Sequence, residues 1–508
     1  MRPRFASAAV PAAALCALLA AGCATLEAPF RAHLASAAPQ VRECAQWYRL
    51  LDERVTQAGT RDAQDTRVPG FPYLRVSRLL AALRPAAQAN EAALHALADR
   101  MLALDLESRR YELMNLTDWQ LAQLHDAGDA DGTRLRFAMR RTEQCGRLLR
   151  EIDAAKPGSR DALLRRAAVP DDYRLANRIL GLYWLTRIAF ADGVRRHEQE
   201  RLAAFRREPA APEGAVVVRY APAPGAPLPR ASAALLLARA AGNPLGIPEP
   251  ADSDLRTLLA AYAPSFEIEV KGDYDRFGAL RWLRDTAPPS VDGARLAVYA
   301  HPAWTRYAGR VLLQLVYTLW FPERPPQSED DLLAGKLDGI TWRVTLAPDG
   351  EPLVYDAMHP CGCYHQFFPT PRAAVRPGPG GMEEWMFSPQ DLPRIADGER
   401  PLVRIATGTH YIERVAVVRG TDSLARYAIL PYGELRSLPR PAGGQASAFG
   451  PDGLVHGTER AERFVFWPMG IASAGAMRQW GRHATAFVGR RHFDDADLFE
   501  RRFRFDLQ

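Results

Sequence analysis

The residues best suited to chemistry lie in one short stretch, HPCGCYH, residues 359–365. His359, Cys361, Cys363 and His365 stand there at every second position, with a proline and a glycine between them. Thiolate and imidazole groups are ligands that zinc and copper ions favour in proteins. The spacing therefore predicts a zinc or copper site, and hydrolysis is the reaction that we expect such a site to favour.

Strand geometry limits how many of these side chains one ion can bind. In an extended strand the four residues would be spread over about 20 Å, which is too far for one set of ligands. Pro360 and Gly362 favour a bend that would bring two or three side chains together. The ligands that we expect from the stretch itself are Cys361, Cys363, His365 and His359.

A distant histidine is expected to complete the set. His410 is the preferred candidate because it lies within GTHYIER, a segment predicted to be part of a strand. Single histidines on strands are more often structural residues than ligands, so the pattern alone does not select one. The alternatives are His456, His483 and His492.

Three other interpretations of the stretch remain open. Cysteines separated by one residue can form a small, strained disulfide ring that is easily reduced, so Cys361 and Cys363 would exchange with partner thiols. Alternatively, Cys363 is a nucleophile with His365 or His410 as its base. The simplest interpretation is a turn with two buried thiols.

The first 23 residues, MRPRFASAAVPAAALCALLAAGC, combine arginines with an apolar run of signal-peptide length. The run ends in LAAGC, which resembles the lipobox of bacterial lipoproteins, where small residues precede a lipidated cysteine. The resemblance implies a signal peptide over residues 1–22 and a lipid anchor on Cys23. Because Ala24 follows instead of aspartate, it also implies the outer membrane of a bacterial cell envelope, facing the periplasm. An ordinary cleaved signal with Cys23 incidental is the alternative.

Two further cysteines lie on the apolar faces of predicted helices. Cys44 and Cys145 would be at risk as single thiols in an oxidising compartment, so we expect a disulfide between them. Two buried free thiols are the alternative, because the sequence does not show whether the two Cα atoms come within bonding range.

Helical spacing of apolar residues dominates the region from 23 to 207, which predicts an N-terminal helical bundle. In VRECAQWYRLLDERV the apolar positions recur every three to four residues, on one face of a helix. The segment from 170 to 206 carries a similar stripe. The residues of that stripe expected to face inward are Ile179, Tyr183, Leu185, Ile188 and Phe190.

Residues 208–262 are rich in proline and alanine and predict a connector with short helices. From 263 to 508 the apolar period becomes two, which predicts a mainly antiparallel β domain, sandwich or barrel-like, and hence an α+β fold. The clearest hairpin turns at Asp349 and Gly350. Strands are also predicted at the later segments RYAILPYG, ERFVFWPMG and ATAFVGRR.

The charge distribution argues against nucleic acid as a partner. The 65 basic and 59 acidic residues give a net charge of +6, and they are interspersed instead of forming a basic stripe. The sequence thus predicts an exported, lipid-anchored envelope protein with a Cys/His metal site, which contacts the membrane through its N-terminal lipid. The competing prediction is a non-catalytic scaffold, in which the helical domain binds an envelope partner and the β domain is structural.

Overall fold

The computed structural model describes residues 28–124, 133–208, 210–225, 228–284, 288–419 and 425–507. The predicted signal peptide at 1–22 and the predicted lipidation site Cys23 lie outside these residues, so both remain predictions. Within the described residues, no helix combines the length and the apolar character needed to cross a bilayer.

The chain divides into two compact units. The first comprises residues up to Ala58 together with Asp65–Val169, and the second comprises Gly59–Gln64 together with Pro170–Gln508. The boundary after Val169 differs from the predicted one at 207, because the helices that follow residue 170 belong to the second unit.

Among its described residues, the first unit contains eight helices and one small hairpin. Its strands are β1 (Thr66–Val68) and β2 (Phe71–Val76), which pair antiparallel. Its helices are α1 (Ala28–Leu34), α2 (Pro39–Ala58), α3 (Arg78–Ala82), α4 (Arg84–Ala89), α5 (Glu91–Met114), α6 (Asp118–Ala122), α7 (Thr133–Ala155) and α8 (Pro157–Arg166).

Sequence signals explain several of these helices. The long helix α5 begins where the Asn90 side chain accepts hydrogen bonds from the backbone N–H groups of Ala92 and Ala93. The stripe on α2 faces the core as predicted, and Tyr48 and Leu51 are fully buried. The predicted disulfide is confirmed, since Cys44 on α2 and Cys145 on α7 are bonded with Cα atoms 4.9 Å apart.

The second unit contains six helices and sixteen strands among its described residues. The helices are α9 (Leu175–Leu180), α10 (Tyr183–Arg206), α11 (Arg230–Ala240), α12 (Asp252–Ala261), α13 (Arg463–Phe466) and α14 (Leu498–Arg502). Outside the main sheet, the short strands are β5 (Ala279–Arg281), β6 (Ser290–Asp292), β12 (Ala373–Val375), β16 (Leu438–Pro439), β17 (Gln445–Ala446) and β18 (Phe503–Phe505).

A single ten-stranded sheet forms the centre of this unit. Its strands are β3 (Val216–Pro222), β4 (Ser265–Val270), β7 (Ala297–Tyr307), β8 (Arg310–Arg324), β9 (Gly335–Leu346), β10 (Pro352–Met358), β11 (Gln366–Pro369), β13 (Glu399–Ile405), β14 (Ile412–Arg419) and β15 (Ala425–Pro431). The order is β11-β10-β9-β8-β7-β15-β3-β4-β13-β14, and six of its nine pairings are antiparallel. The predicted α+β fold is therefore confirmed.

The predicted hairpin supplies the support for the HPCGCYH stretch. Strands β9 and β10 pair antiparallel, and Gly350 has a φ of +81° in the turn between them, a conformation that glycine adopts without strain. Strand β10 ends at Met358, and the edge strand β11 begins at Gln366. Residues 359–365 are therefore the short connection between two neighbouring strands at one edge of the sheet.

The structure differs from four local predictions. The segment ERFVFWPMG forms helix α13 and a following 3₁₀ turn instead of a strand, and ATAFVGRR contributes only an isolated bridge at Ala484. Part of the apolar stripe on α9 and α10 does not face inward, because Ile179, Leu185 and Ile188 are exposed. In the predicted connector, β3 is instead an interior strand of the sheet.

Candidate functional site

The HPCGCYH stretch folds as a tight turn. The backbone N–H of Gly362 donates to the His359 carbonyl oxygen at 2.8 Å, and the N–H of His359 donates to the Cys363 carbonyl oxygen at 3.0 Å. Gly362 has a φ of +91°, and a Cβ atom there would come within 2.5 Å of a backbone carbonyl oxygen, so the position requires glycine. The predicted bend therefore forms, and it brings Cys361 and Cys363 together as a hydrogen-bonded pair of free thiols.

A later segment of the chain holds the turn in place. The Pro360 carbonyl oxygen accepts hydrogen bonds from the Arg478 backbone N–H at 2.9 Å and from His483 Nε2 at 3.1 Å. The Arg478 side chain donates through Nε to the Cys361 carbonyl oxygen at 3.1 Å. Because these contacts fix two consecutive carbonyl groups, the two thiols have a defined position.

Both thiols line a cavity of about 530 Å³ inside the second unit. Helix α10, the turn at 361–366 and residues 462–487 provide most of its wall, which is largely apolar. Aromatic side chains contribute much of this surface, namely Phe190, Tyr364, Phe387, Tyr411, Phe466 and Phe487. The volume lies within the range of sites that bind small organic molecules.

The two thiols differ in acidity. Burial opposes ionisation of Cys361, but the hydrogen bond from Cys363 and the positive charge of Arg460 outweigh it and lower the pKa of Cys361. The same hydrogen bond, together with burial, raises the pKa of Cys363 well above its usual range. Cys361 is therefore the more acidic sulfur of the pair, and the Cys363 thiol is the hydrogen-bond donor to the Cys361 thiolate when that thiolate forms. In the nucleophile interpretation that the sequence left open, Cys363 was the attacking sulfur.

Three polar side chains that the sequence did not single out also line the cavity. Burial raises the pKa of Glu462 to about 7, although the charge of Arg460 opposes the shift. Burial likewise raises the pKa of Glu198 on α10 to about 7, with a contribution from Glu384. The side-chain oxygen of Gln366 is buried without a hydrogen-bond partner among the described residues. The cavity therefore contains groups that can transfer protons near neutral pH.

His365 binds a different partner from the one predicted. Its Nε2 lies 2.8 Å from Asp356 Oδ2, and its Nδ1 lies 3.3 Å from Thr485 Oγ1. Asp356 also receives two hydrogen bonds from Arg343 on the adjacent strand β9. Burial lowers the pKa of His365 to about 3, so the ring is neutral and both of its nitrogens have partners.

His359 and His410 both form hydrogen bonds with one buried carboxylate, that of Asp338, and not with the thiols. Asp338 bonds His359 Nδ1 through Oδ1 and His410 Nδ1 through Oδ2, both at 2.9 Å, and Arg460 Nη2 lies 3.4 Å from Oδ1. His410 has a φ of +53° in the turn between β13 and β14, so its expected place within a strand was wrong. Its ring stacks on Phe321 at 3.9 Å.

The five predicted metal ligands thus belong to three separate hydrogen-bonded groups. The thiol pair lines the cavity, His365 joins Asp356, and His359 and His410 share Asp338. Among the described residues, no three His, Cys, Asp or Glu side chains are arranged to hold a metal ion. Of the distant histidines, His483 is the one that bonds the stretch, through the Pro360 carbonyl oxygen.

Comparisons of the chain with protein-family models, with curated proteins and with solved structures find no match.

Replacing Glu462 with Gln should change how stability depends on pH. The folded protein keeps a proton on Glu462 up to a pKa of about 7, whereas an ordinary glutamate loses it near 4.5. Folding is therefore coupled to proton uptake between these values, and wild-type stability should fall as pH rises through this window, by roughly 3 kcal/mol. Glutamine does not ionise, so we expect Glu462→Gln to be more stable than wild type at pH 8 and similar to it at pH 4.

Urea unfolding at both pH values measures this difference. Glu329→Gln is the matched control, because Glu329 is exposed in the segment between β8 and β9, and its replacement should leave the pH dependence unchanged. If the free energy of unfolding changed with pH by the same amount in wild type and Glu462→Gln, Glu462 would not titrate in this range.

Proposed function

We propose that this protein is an envelope thiol–disulfide exchange protein, whose Cys361–Cys363 pair reacts with small, largely apolar thiols bound in the cavity. The observation that carries the proposal is the hydrogen-bonded thiol pair in the cavity wall, with its lowered pKa at Cys361. Cys361 and Cys363 are 2% and 9% exposed, so a molecule must enter the cavity to reach either sulfur. This requirement favours a small substrate over a protein disulfide.

The chemistry of the pair favours its disulfide form as the oxidant. A ring closed across one residue is strained, and a stabilised Cys361 thiolate is a good leaving group. A substrate thiolate attacks the Cys363 sulfur, the Cys361–Cys363 bond breaks, and Cys361 leaves as the thiolate. A second substrate thiolate then attacks the substrate sulfur of the mixed disulfide and releases Cys363, which takes a proton from Glu462. Two electrons pass from two substrate thiols to the protein, and the substrate leaves as a disulfide.

Location in the cell envelope is part of the same proposal. The LAAGC sequence at residues 19–23 supports export and a lipid anchor on Cys23. The Cys44–Cys145 disulfide supports an oxidising compartment, where such bonds persist. In that compartment the Cys361–Cys363 disulfide can also persist until substrate thiols reduce it.

The redox equilibrium of the pair tests the proposal. The full chain is equilibrated in glutathione buffers of graded potential, the thiols are trapped by rapid alkylation, and the products are identified by mass spectrometry. We expect Cys361 and Cys363 to interconvert between dithiol and disulfide with a midpoint more oxidising than about −230 mV. Cys44 and Cys145 should remain bonded over the same range. A pair that stays reduced in every buffer would refute redox exchange.

The hydrogen bond between the sulfurs can be tested separately. Cys363→Ala removes the donor, which should raise the pKa of Cys361 and slow its alkylation at pH 7. Cys363→Ser keeps a hydroxyl donor and should recover most of the rate. If elemental analysis finds one zinc or copper ion per chain, and Cys361→Ser loses it, the metal site expected from the sequence would be favoured instead.

A further inference from the structure

One surface of the second unit exposes an unusual number of large apolar side chains. Eighteen such side chains are exposed among the described residues, and ten of them lie in two segments, seven within 175–188 and three within 464–467. We call these two segments the apolar patch. Leu180, Phe464 and Trp184 are the most exposed of its members, at 76%, 69% and 66%. Exposed apolar groups at this density indicate a surface that another molecule covers.

The two segments form one continuous surface. The Arg174 backbone N–H, which precedes α9, donates to the Gly470 carbonyl oxygen at 2.8 Å. The Arg178 side chain on α9 donates to the Met469 carbonyl oxygen, also at 2.8 Å. Phe190, which follows the first segment on α10, also packs against Phe466 of the second segment, with ring centroids 5.2 Å apart. Helices α9 and α10 and the 464–467 segment are therefore fixed to one another.

The charges of the patch distinguish among possible occupants. From 173 to 191 the chain has no acidic residue and three arginines, of which Arg174 is exposed, Arg187 is partly exposed and Arg178 is buried; 463–470 has one partly exposed arginine and no acid. Tryptophan and aliphatic side chains flanked by arginine, without acidic groups, are typical of segments that lie in the interface of a bilayer. Arginines at such a surface are attracted to anionic headgroups. A bilayer that contains anionic lipid therefore complements both the apolar and the charged groups.

The patch adjoins the cavity. Ala189 and Phe190 line the cavity and directly follow the patch residue Ile188 on α10. Val465 belongs to both, since it is 48% exposed and also lines the cavity. A molecule dissolved in hydrocarbon beneath the patch would thus lie next to the cavity wall.

We propose that the apolar patch docks on the surface of a lipid bilayer that contains anionic phospholipid. Docking brings the cavity wall at Phe190 and Phe466 to the membrane. If the Cys361–Cys363 pair exchanges with thiols as proposed above, those thiols enter the cavity from the bilayer. The docking itself does not depend on the dithiol.

Fluorescence quenching tests the docking. The full chain is incorporated into vesicles of phosphatidylethanolamine and phosphatidylglycerol whose acyl chains carry bromine, which quenches tryptophan in the hydrocarbon region. We expect part of the quenching to come from Trp184, so that Trp184→Phe lowers the quenched signal. Leu180→Glu should lower the Trp184 contribution at least twofold by placing a charge in the patch. Vesicles without phosphatidylglycerol should give weaker quenching.

Leu235→Glu is the matched control, because Leu235 on α11 is 72% exposed and lies outside the patch. It should leave the quenching unchanged, as should the Cys361→Ser/Cys363→Ser variant, so that loss of thiol exchange and loss of docking are distinguishable. Equal quenching in wild type, Trp184→Phe and Leu180→Glu would refute docking. A lipid-free dimer that Leu180→Glu dissociates would show that a second copy of the chain covers the patch, and would refute it too.

Discussion

Replacing Asp338 with Asn is expected to lower the free energy of unfolding by about 3–5 kcal/mol. Asp338 is completely buried and accepts hydrogen bonds from His359 and His410, with Arg460 beside it. These contacts hold the pKa of Asp338 well below its usual range even though burial opposes ionisation. Asparagine removes the negative charge closest to the buried Arg460 guanidinium and weakens the hydrogen bonds that hold His359 and His410.

Urea unfolding measures this loss. Asp273→Asn makes the same chemical change at a fully exposed side chain that pairs with Arg276, and it should cost less than about 1 kcal/mol. Because His359 begins the turn that holds the thiols, Asp338→Asn should also slow Cys361 alkylation. A stability loss below 1 kcal/mol would show that the Asp338 group is not needed to hold the fold.

Loss of the Cys44–Cys145 bond is the second large effect that we expect. The bond joins residues 101 apart in sequence, and closing a loop of this length stabilises a folded chain by about 5 kcal/mol. The Cys44→Ser/Cys145→Ser variant should therefore unfold at a markedly lower urea concentration than wild type. Both sulfurs lie among buried residues of α2 and α7, so the serine hydroxyls also add a cost of burial.

The Cys361→Ser/Cys363→Ser variant provides the control for this comparison. It changes the same number of buried sulfurs to serine but removes no bond that the structure contains, so it should lose less stability than the Cys44→Ser/Cys145→Ser variant. If dithiothreitol destabilises this control as much as it does the wild type, while the Cys44→Ser/Cys145→Ser variant does not respond, the effect belongs to the Cys44–Cys145 bond. Equal urea midpoints for oxidised and reduced wild type would contradict the prediction.

Local sequence signals predicted the parts of the site that neighbouring residues determine. The hairpin formed because Asp349 and Gly350 supply a turn between two strands of alternating pattern. Glycine at 362 predicted the bend that brings the two thiols together, since its positive φ disfavours other residues. The disulfide followed from two cysteines on apolar helix faces, although the sequence could not show their distance.

Local sequence signals did not predict the contacts between segments that are distant in the sequence. His410 and Asp338 meet because β8 and β9 lie near the β13–β14 turn, and period-two patterns indicate the face of a strand but not its neighbours. Glu462 was missed because aromatic and β-branched residues made its segment resemble a strand, whereas it begins a four-residue helix. An apolar stripe indicates that a surface is covered, but it does not indicate whether protein or lipid covers it. Ile179 and Ile188 illustrate this limit.

The path of the chain between Cys44 and Cys145 has a practical consequence. Residues 59–64 lie inside this disulfide-closed loop but belong to the second unit, where Asp62 bonds Arg436 at 2.8 Å. A protease that cuts one peptide bond anywhere between the two cysteines therefore leaves both pieces covalently joined. Such a nicked protein would migrate as one chain on a non-reducing gel and as two fragments after reduction. Loss of the second unit by a single cut in this region would require reduction of the bond first.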